Sequence, residues 1–182
     1  MRGRILILAA AVAAASLMSC TKQNREMMYS SQETKIESFV NGLLKSNPSM
    51  RVEYNGGSVR AVLNEGQGVE LTARGKADIL YAGYVFSGSS LTNSNMFTTN
   101  SMDFALSTKW DVSDSTVFTP LTVDLTDKGL IDGLRFGLEG VKEGEECYIL
   151  FSGKHAFGKN KNGTIPANSP LAYRVWVQSV EN

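Results

Sequence analysis

The chain has 182 residues, 42% of them hydrophobic and 20% charged, with 17 glycines, 4 prolines, 2 cysteines and one histidine. That composition excludes a disordered, collagen-like or disulfide-stapled protein. Eighteen Lys and Arg balance eighteen Asp and Glu, so non-specific nucleic-acid binding lacks the excess positive charge that drives it, and one histidine with two cysteines is too few for an ordinary zinc or haem site.

In chain order, Arg2 and Arg4 are followed by an apolar run of 14 residues, Ile5 to Met18, interrupted only by Ser16. This is short of the ~20 needed to span a bilayer and has the shape of a signal-peptide core. Leu17-Met18-Ser19-Cys20 resembles a bacterial lipobox, which implies cleavage after Ser19 and lipid on Cys20. With no aspartate after the cysteine, the expected address is the outer membrane. Residues 1–19 are then a lipoprotein signal peptide, and residues 20–50 a lipidated tether and helix. Thr21 to about Ser30 reads as polar tether. Ile36, Phe39, Val40, Leu43 and Leu44 recur at i, i+3, i+4, i+7 and i+8, an amphipathic helix with Ser30 or Ser31 as cap and Asn47-Pro48 as stop.

Beyond Met50 the signals are mostly strands. Arg51–Tyr54, Ser58–Leu63, Lys76–Phe86, Cys147–Phe151 and Leu171–Val180 carry β-type patterning, and apolar residues at 130, 131, 134, 138 and 141 predict one short helix. Fifteen of the glycines lie from Gly56 onward. The expected class is α+β, an antiparallel β-sheet wrapped around one short α-helix. Residues 87–117, rich in Ser, Thr and Asn, read as a long insertion without a core of its own. Cys147, in a strand and flanked by glutamates, reads as a buried structural thiol. His155 reads as a surface turn residue, Lys154, Lys159 and Lys161 as a solvated loop tip, and the Asn162-Gly163-Thr164 glycosylation pattern as chance.

One set of motifs from about residue 51 to 182 resembles the FKBP-type peptidyl-prolyl cis-trans isomerases. It comprises Gly57-Ser58-Val59, Val62–Gly68, Gly75, Tyr81-Ala82-Gly83, Gly129-Leu130-Ile131-Asp132-Gly133-Leu134, Gly137–Glu145, Ala156-Phe157-Gly158 and Gly163–Asn168. The resemblance implies an FKBP-like fold over 51–182 and a cleft for a proline-containing segment. Tyr81, Phe97, Leu130, Ile131, Leu134, Phe157, Ile165 and Tyr173 would line it, and a backbone N–H near Leu130–Ile131 would bond a substrate carbonyl. No cofactor or metal is implied. The implied partners are proline-containing segments of exported proteins and the membrane through Cys20, and the implied inhibitor is a macrolide. Nucleic acid is not a partner.

Three departures stand out. Leu134 replaces the family's usual tryptophan, and Phe157 its tyrosine. The family's Phe-Asp pair falls either on Phe97-Thr98, which loses the carboxylate, or on Trp110-Asp111, which keeps it. An active isomerase, a peptide-binding chaperone of reduced catalysis, and a surface lipoprotein whose 87–117 segment plugs the cleft are the readings to separate. The position of Met96, Phe97 and Trp110 relative to the groove discriminates the last.

Overall fold

The computed structural model describes residues 2–182, with side chains from Lys22 onward. The lipobox-like motif ending at Cys20 therefore has its side chains outside the described residues.

The chain opens with helix α1 (Arg2–Ser46) and continues into strands β1 (Arg51–Asn55), β2 (Ser58–Asn64), β3 (Lys76–Val85) and β4 (Met96–Thr99). Helix α2 (Met102–Thr108), strand β5 (Leu121–Asp124), helix α3 (Asp132–Leu138) and strands β6 (Glu146–Phe151) and β7 (Leu171–Glu181) complete it. Every strand pair is antiparallel, in the order β1-β2-β6-β7-β3-β4, with β5 also on β3. This is an α+β, FKBP-like arrangement.

Alternation along the central strands divides the interior in two, because successive side chains leave a strand on opposite faces. Cys147, Ile149 and Phe151 of β6 join Leu171, Tyr173, Val175 and Val177 of β7 in the core beneath α3. Leu150 and Ala172, between them in sequence, join Ile36 and Val40 of α1 on the other face. Both faces are covered, so β6 and β7 read as nearly continuous apolar runs.

Helix α3 sits close on the sheet because it has glycines where it touches. A Cβ on Gly133 would enter the Phe151 ring, and one on Gly137 would enter Ile149. Ser58 Oγ donates to Gly133 O at 2.7 Å. At the far end Arg60 Nη1 donates to the carbonyls of Gly137 and Glu139 at 3.2 and 2.7 Å, occupying acceptors that a helix terminus leaves free. Arg60 in turn lies 3.4 Å from the fully buried Glu145.

Three expectations are corrected. The 87–117 stretch contains β4 and α2, so there are two short internal helices; Ser101 caps α2 through its side chain, which accepts from Phe104 N. The expected tether at Lys22–Ser30 is helical, and Ser30 and Ser31 are interior rather than caps. Six of its nine residues are Lys, Gln, Arg, Glu or Met, good helix formers, and neither Gly nor Pro interrupts it. Helix α3 is also shorter than its apolar spacing, since Leu130 and Ile131 precede it and Val141 follows it.

Candidate active site

A cavity of about 370 Å³ opens between α3 and the curved sheet. Tyr81, Phe97, Leu130, Leu134, Phe157, Ile165 and Tyr173 line it, with Ile79, Thr98, Leu121, Val123 and the Asn162-Gly163-Thr164 turn. Seven of the eight predicted residues thus share one hollow. Ile131 packs on the same core without lining the cavity.

Tyr173 is the hub of the aromatic wall. Its ring lies 6.0 Å from those of Tyr81, Phe97 and Phe151, edge-on to Phe97 and stacked on Phe151, spacings at which aromatic pairs attract. Burial pushes the Tyr173 hydroxyl pKa upward, with Tyr81 adding to it, so this ring stays neutral. Gly83 makes room for the pair: a Cβ there would lie 2.7 Å from Phe97 and 3.1 Å from Tyr173.

Leu130 and Leu134 are placed by a guanidinium staple. Arg135 Nη2 donates to Asp127 O at 2.6 Å and to Leu130 O at 2.9 Å, and Nη1 donates to Leu125 O. Gly133 N donates to His155 O at 2.9 Å, joining the start of α3 to the turn that carries Phe157. At the N-cap of α3, Ile131 has extended backbone and no side-chain cap. Among the described residues its N–H has no protein acceptor, which leaves a donor for a peptide carbonyl.

The opposite wall depends on Asn100, which the sequence reading passed over. Strand β3 pairs with β5 through Ile79 and with β4 from Ala82, leaving a gap at Leu80 and Tyr81 on that edge. Buried Asn100 fills it. Its Oδ1 accepts from Tyr81 N at 2.6 Å, and its Nδ2 donates to Ile79 O at 3.1 Å and Thr119 O at 2.9 Å. Asn100 N and Thr99 Oγ1 both donate to Tyr81 O, at 3.1 and 2.7 Å. One amide thereby fixes Tyr81 between the strands that supply Phe97, Thr98 and Leu121.

The Phe-Asp ambiguity resolves on geometry. Phe97 and Thr98 line the cavity, whereas Trp110 packs with Phe104 and Trp176 on the opposite face of the sheet. Asp111 is exposed and accepts from Ser113 N at 2.9 Å, a bond that holds its carboxyl below the usual range. Trp110 and Asp111 are therefore corrected as candidates: α2 turns the chain away from the cleft before it reaches them. Met96 is buried on that far face too, and the 87–117 segment leaves the cavity open. Leu121 was missed as a lining residue because β5 is only four residues long, too short for a periodic signal; Thr98, weighed above as half of the Phe-Asp pair, and Asn162-Gly163-Thr164, read above as a chance glycosylation pattern, line the cavity beside it. Cys147 is fully buried, and burial first, then Glu145, pushes its thiol pKa upward.

No group among the cavity's lining residues is an acid–base pair or a nucleophile with a base, and among the described residues no cluster of His, Cys, Asp and Glu could hold a metal. What remains is an apolar slot beside one free backbone donor, the equipment for gripping a small apolar ring on a polypeptide.

Comparison with known proteins agrees. The family model described as "FKBP-type peptidyl-prolyl cis-trans isomerase" matches residues 64–178, and the chain belongs to that family. The fold is similar to FkpA from Escherichia coli, at TM-score 0.55 and 20% identity over 97% of this chain and 71% of that one. It is similar also to a peptidyl-prolyl cis-trans isomerase from Pseudomonas syringae, at TM-score 0.55 and 18% identity over 84% and 95% of the two chains. The N-terminal domain of FKBP42 from Arabidopsis thaliana gives TM-score 0.53 and 18% identity over 72% and 93%. No curated protein matches the sequence. The enzyme class is peptidyl-prolyl cis-trans isomerase.

Proposed function

We propose that this isomerase acts from a membrane tether, lipidated at Cys20, on proline-containing segments of exported proteins, with the cavity above as its catalytic cleft. The observation that carries the cleft is the convergence of Tyr81, Phe97, Leu134, Phe157, Ile165 and Tyr173 from five separate parts of the chain on one hollow. The tether rests on the charged start, the short apolar run and the lipobox-like exit. Among the described residues no helix is long and apolar enough to cross a membrane. In the proposed reading the hold is the lipid on Cys20, with several acyl chains needed for stable anchoring.

The chemistry needs no acid, base or metal. An X–Pro bond isomerises in tens to hundreds of seconds because twisting the imide gives up amide resonance behind a barrier of ~18–20 kcal/mol. A prolyl ring between Tyr173, Phe97 and Leu134 leaves its imide in a site stripped of water. The twisted imide is less polar than the planar one, so it loses less on leaving water. The Ile131 N–H holds a neighbouring carbonyl while the bond turns. A ten-thousand-fold acceleration requires about 5.5 kcal/mol of preference for the twisted form.

A second reading, a peptide-holding chaperone of low catalytic rate, is favoured by Leu134, Thr98 and Phe157 in the lining. Phe157 has no hydroxyl to donate, and a neutral hydrogen bond contributes about 0.5–1.5 kcal/mol. Refolding of a proline-limited substrate by the chain from Thr21 onward separates the two. Faster refolding supports the isomerase; binding of the unfolded substrate with an unaltered proline phase supports the chaperone. For the tether, wild type should fractionate with membranes and Cys20→Ser should be released, and retention of Cys20→Ser would refute it.

A further inference from the structure

The helix that leads in from the N-terminus is bonded to the loop that closes the cleft. Gln32 uses both ends of its amide: Oε1 accepts from Gly153 N, and Nε2 donates to Asn168 O, each at 2.8 Å. Tyr29 donates its hydroxyl to Asn168 Oδ1 at 2.7 Å, and Glu33 accepts from Ser152 Oγ at 3.1 Å. Ser152, Gly153 and Asn168 are the two ends of one loop. Between them the loop carries Phe157 and Asn162–Ile165 to the cavity.

The loop ends meet at a constrained point. Gly153 lies so close to Asn168 that a Cβ would enter the Asn168 backbone, and Asn168 N donates to Gly158 O at 2.6 Å. Asn168 holds φ +60°, in the left-handed region that only a minority of non-glycine residues occupy. Such a conformation persists when its surroundings over-determine it, and here α1 supplies two of its partners. Tyr29, Gln32, Ile36 and Val40 follow helical spacing along one stripe. The apolar members, Ile36 and Val40, are buried against the sheet and hold the polar members at the loop.

We propose that α1 is a working part of the isomerase: Tyr29 and Gln32 are positioning residues that hold the 152–168 loop closed over the cleft and so set its affinity for the proline segment. The proposal rests on reading the cavity as the prolyl site. Neither residue touches the cavity; each acts through Asn168 and Gly153. The helix that would tether the domain is then also the brace of its substrate loop, and whatever lifts it weakens substrate binding.

The test uses the chain from Thr21 onward, with Ala-Ala-Pro-Phe as substrate. Tyr29→Phe keeps the buried ring, and Gln32→Leu keeps the volume while removing both amide bonds. The double variant is expected to raise KM about five- to ten-fold, the scale of the hydrogen bonds lost, with kcat within about two-fold of wild type because the Tyr81–Phe97–Tyr173 wall is untouched. Amide exchange should quicken at Gly153 and from Gly158 to Asn168, and remain slow in β6 and β7. Gln32→Glu retains the acceptor for Gly153 and should fall between. Thr34→Ala, whose side chain bonds only Ser30 O, is the helix control. If the double variant does not fold, Tyr29→Phe alone carries the test, with KM raised about two- to three-fold. A KM equal to wild type, whatever the exchange rates, overturns the proposal, as does a fall confined to kcat. Wild type that neither binds nor isomerises the peptide refutes the cleft reading instead, visibly without any variant, and takes the brace with it.

Discussion

Replacing Asn100 by alanine removes three side-chain hydrogen bonds at a site 6% exposed. It strands Tyr81 N, Ile79 O and Thr119 O where β3 changes partner. A buried polar group left unpaired costs about 1–3 kcal/mol, and water reaching the vacated space recovers part, so the expected loss is about 3–5 kcal/mol. For a chain of this size that lowers Tm by about 6–20 °C. The function should fall further than stability alone requires, because Tyr81 loses the contact that orients it against Tyr173; kcat/KM measured well below Tm should drop at least about ten-fold, or ~1.4 kcal/mol. Asn100→Asp separates the roles. It keeps the acceptor for Tyr81 N but turns a carboxylate on the carbonyls of Ile79 and Thr119. Burial beside those acceptors raises the aspartate's pKa in the folded state above its unfolded value, so its penalty is present at neutral pH and relieved as pH falls through that raised pKa. Its Tm should therefore rise toward wild type on acidification. Melting curves at several pH values and steady-state kinetics at 25 °C decide. An alanine variant within 2 °C of wild type, with unchanged kcat/KM, would refute the role given to Asn100.

Leu134→Trp with Phe157→Tyr should raise kcat/KM several-fold, since the indole fills the floor and the hydroxyl adds a bond of about 0.5–1.5 kcal/mol; steady-state assay of a proline peptide tests it, and an unchanged rate would show that these departures do not limit catalysis. Cys147 should resist alkylation in the folded protein, because burial keeps the thiol protonated and covered; labelling followed by mass spectrometry should track global unfolding, and rapid native labelling would contradict the burial. The kcat/KM profile should be flat from about pH 5 to 9, with no carboxylate or histidine lining the cleft and Tyr173 held neutral by burial; a bell-shaped profile would mean that proton transfer contributes.

The strands that pair over long stretches were legible as strands, because β3, β6 and β7 carry β-type runs that survive without knowledge of partners. Gly133 and Gly137 of the glycine motifs were legible for a different reason: Phe151 presses on α3 at the first and Ile149 at the second, so their spacing encodes contact. β4, β5 and α2 were not legible. Each is at most seven residues long, and β4 and β5 gain stability only by pairing with β3. Trp110 shows the cost of that. The Trp110-Asp111 register keeps the carboxylate that Phe97-Thr98 loses, and only the α2 turn, with Lys109 in the left-handed conformation, sends Trp110 to the opposite face. Asn100 and Gln32 were illegible because an amide side chain takes its meaning from the backbone groups it happens to meet.

Two-dimensional exchange NMR of Ala-Ala-Pro-Phe with a trace of the chain from Thr21 onward puts the cleft to its most direct test. Cis–trans cross-peaks should build up within about a second, against tens to hundreds of seconds uncatalysed, and disappear with Tyr81→Asp, while the Ile131 amide of labelled protein shifts on peptide addition. Exchange no faster than in buffer, with Ile131 unmoved, would contradict the assignment of that hollow to a prolyl imide.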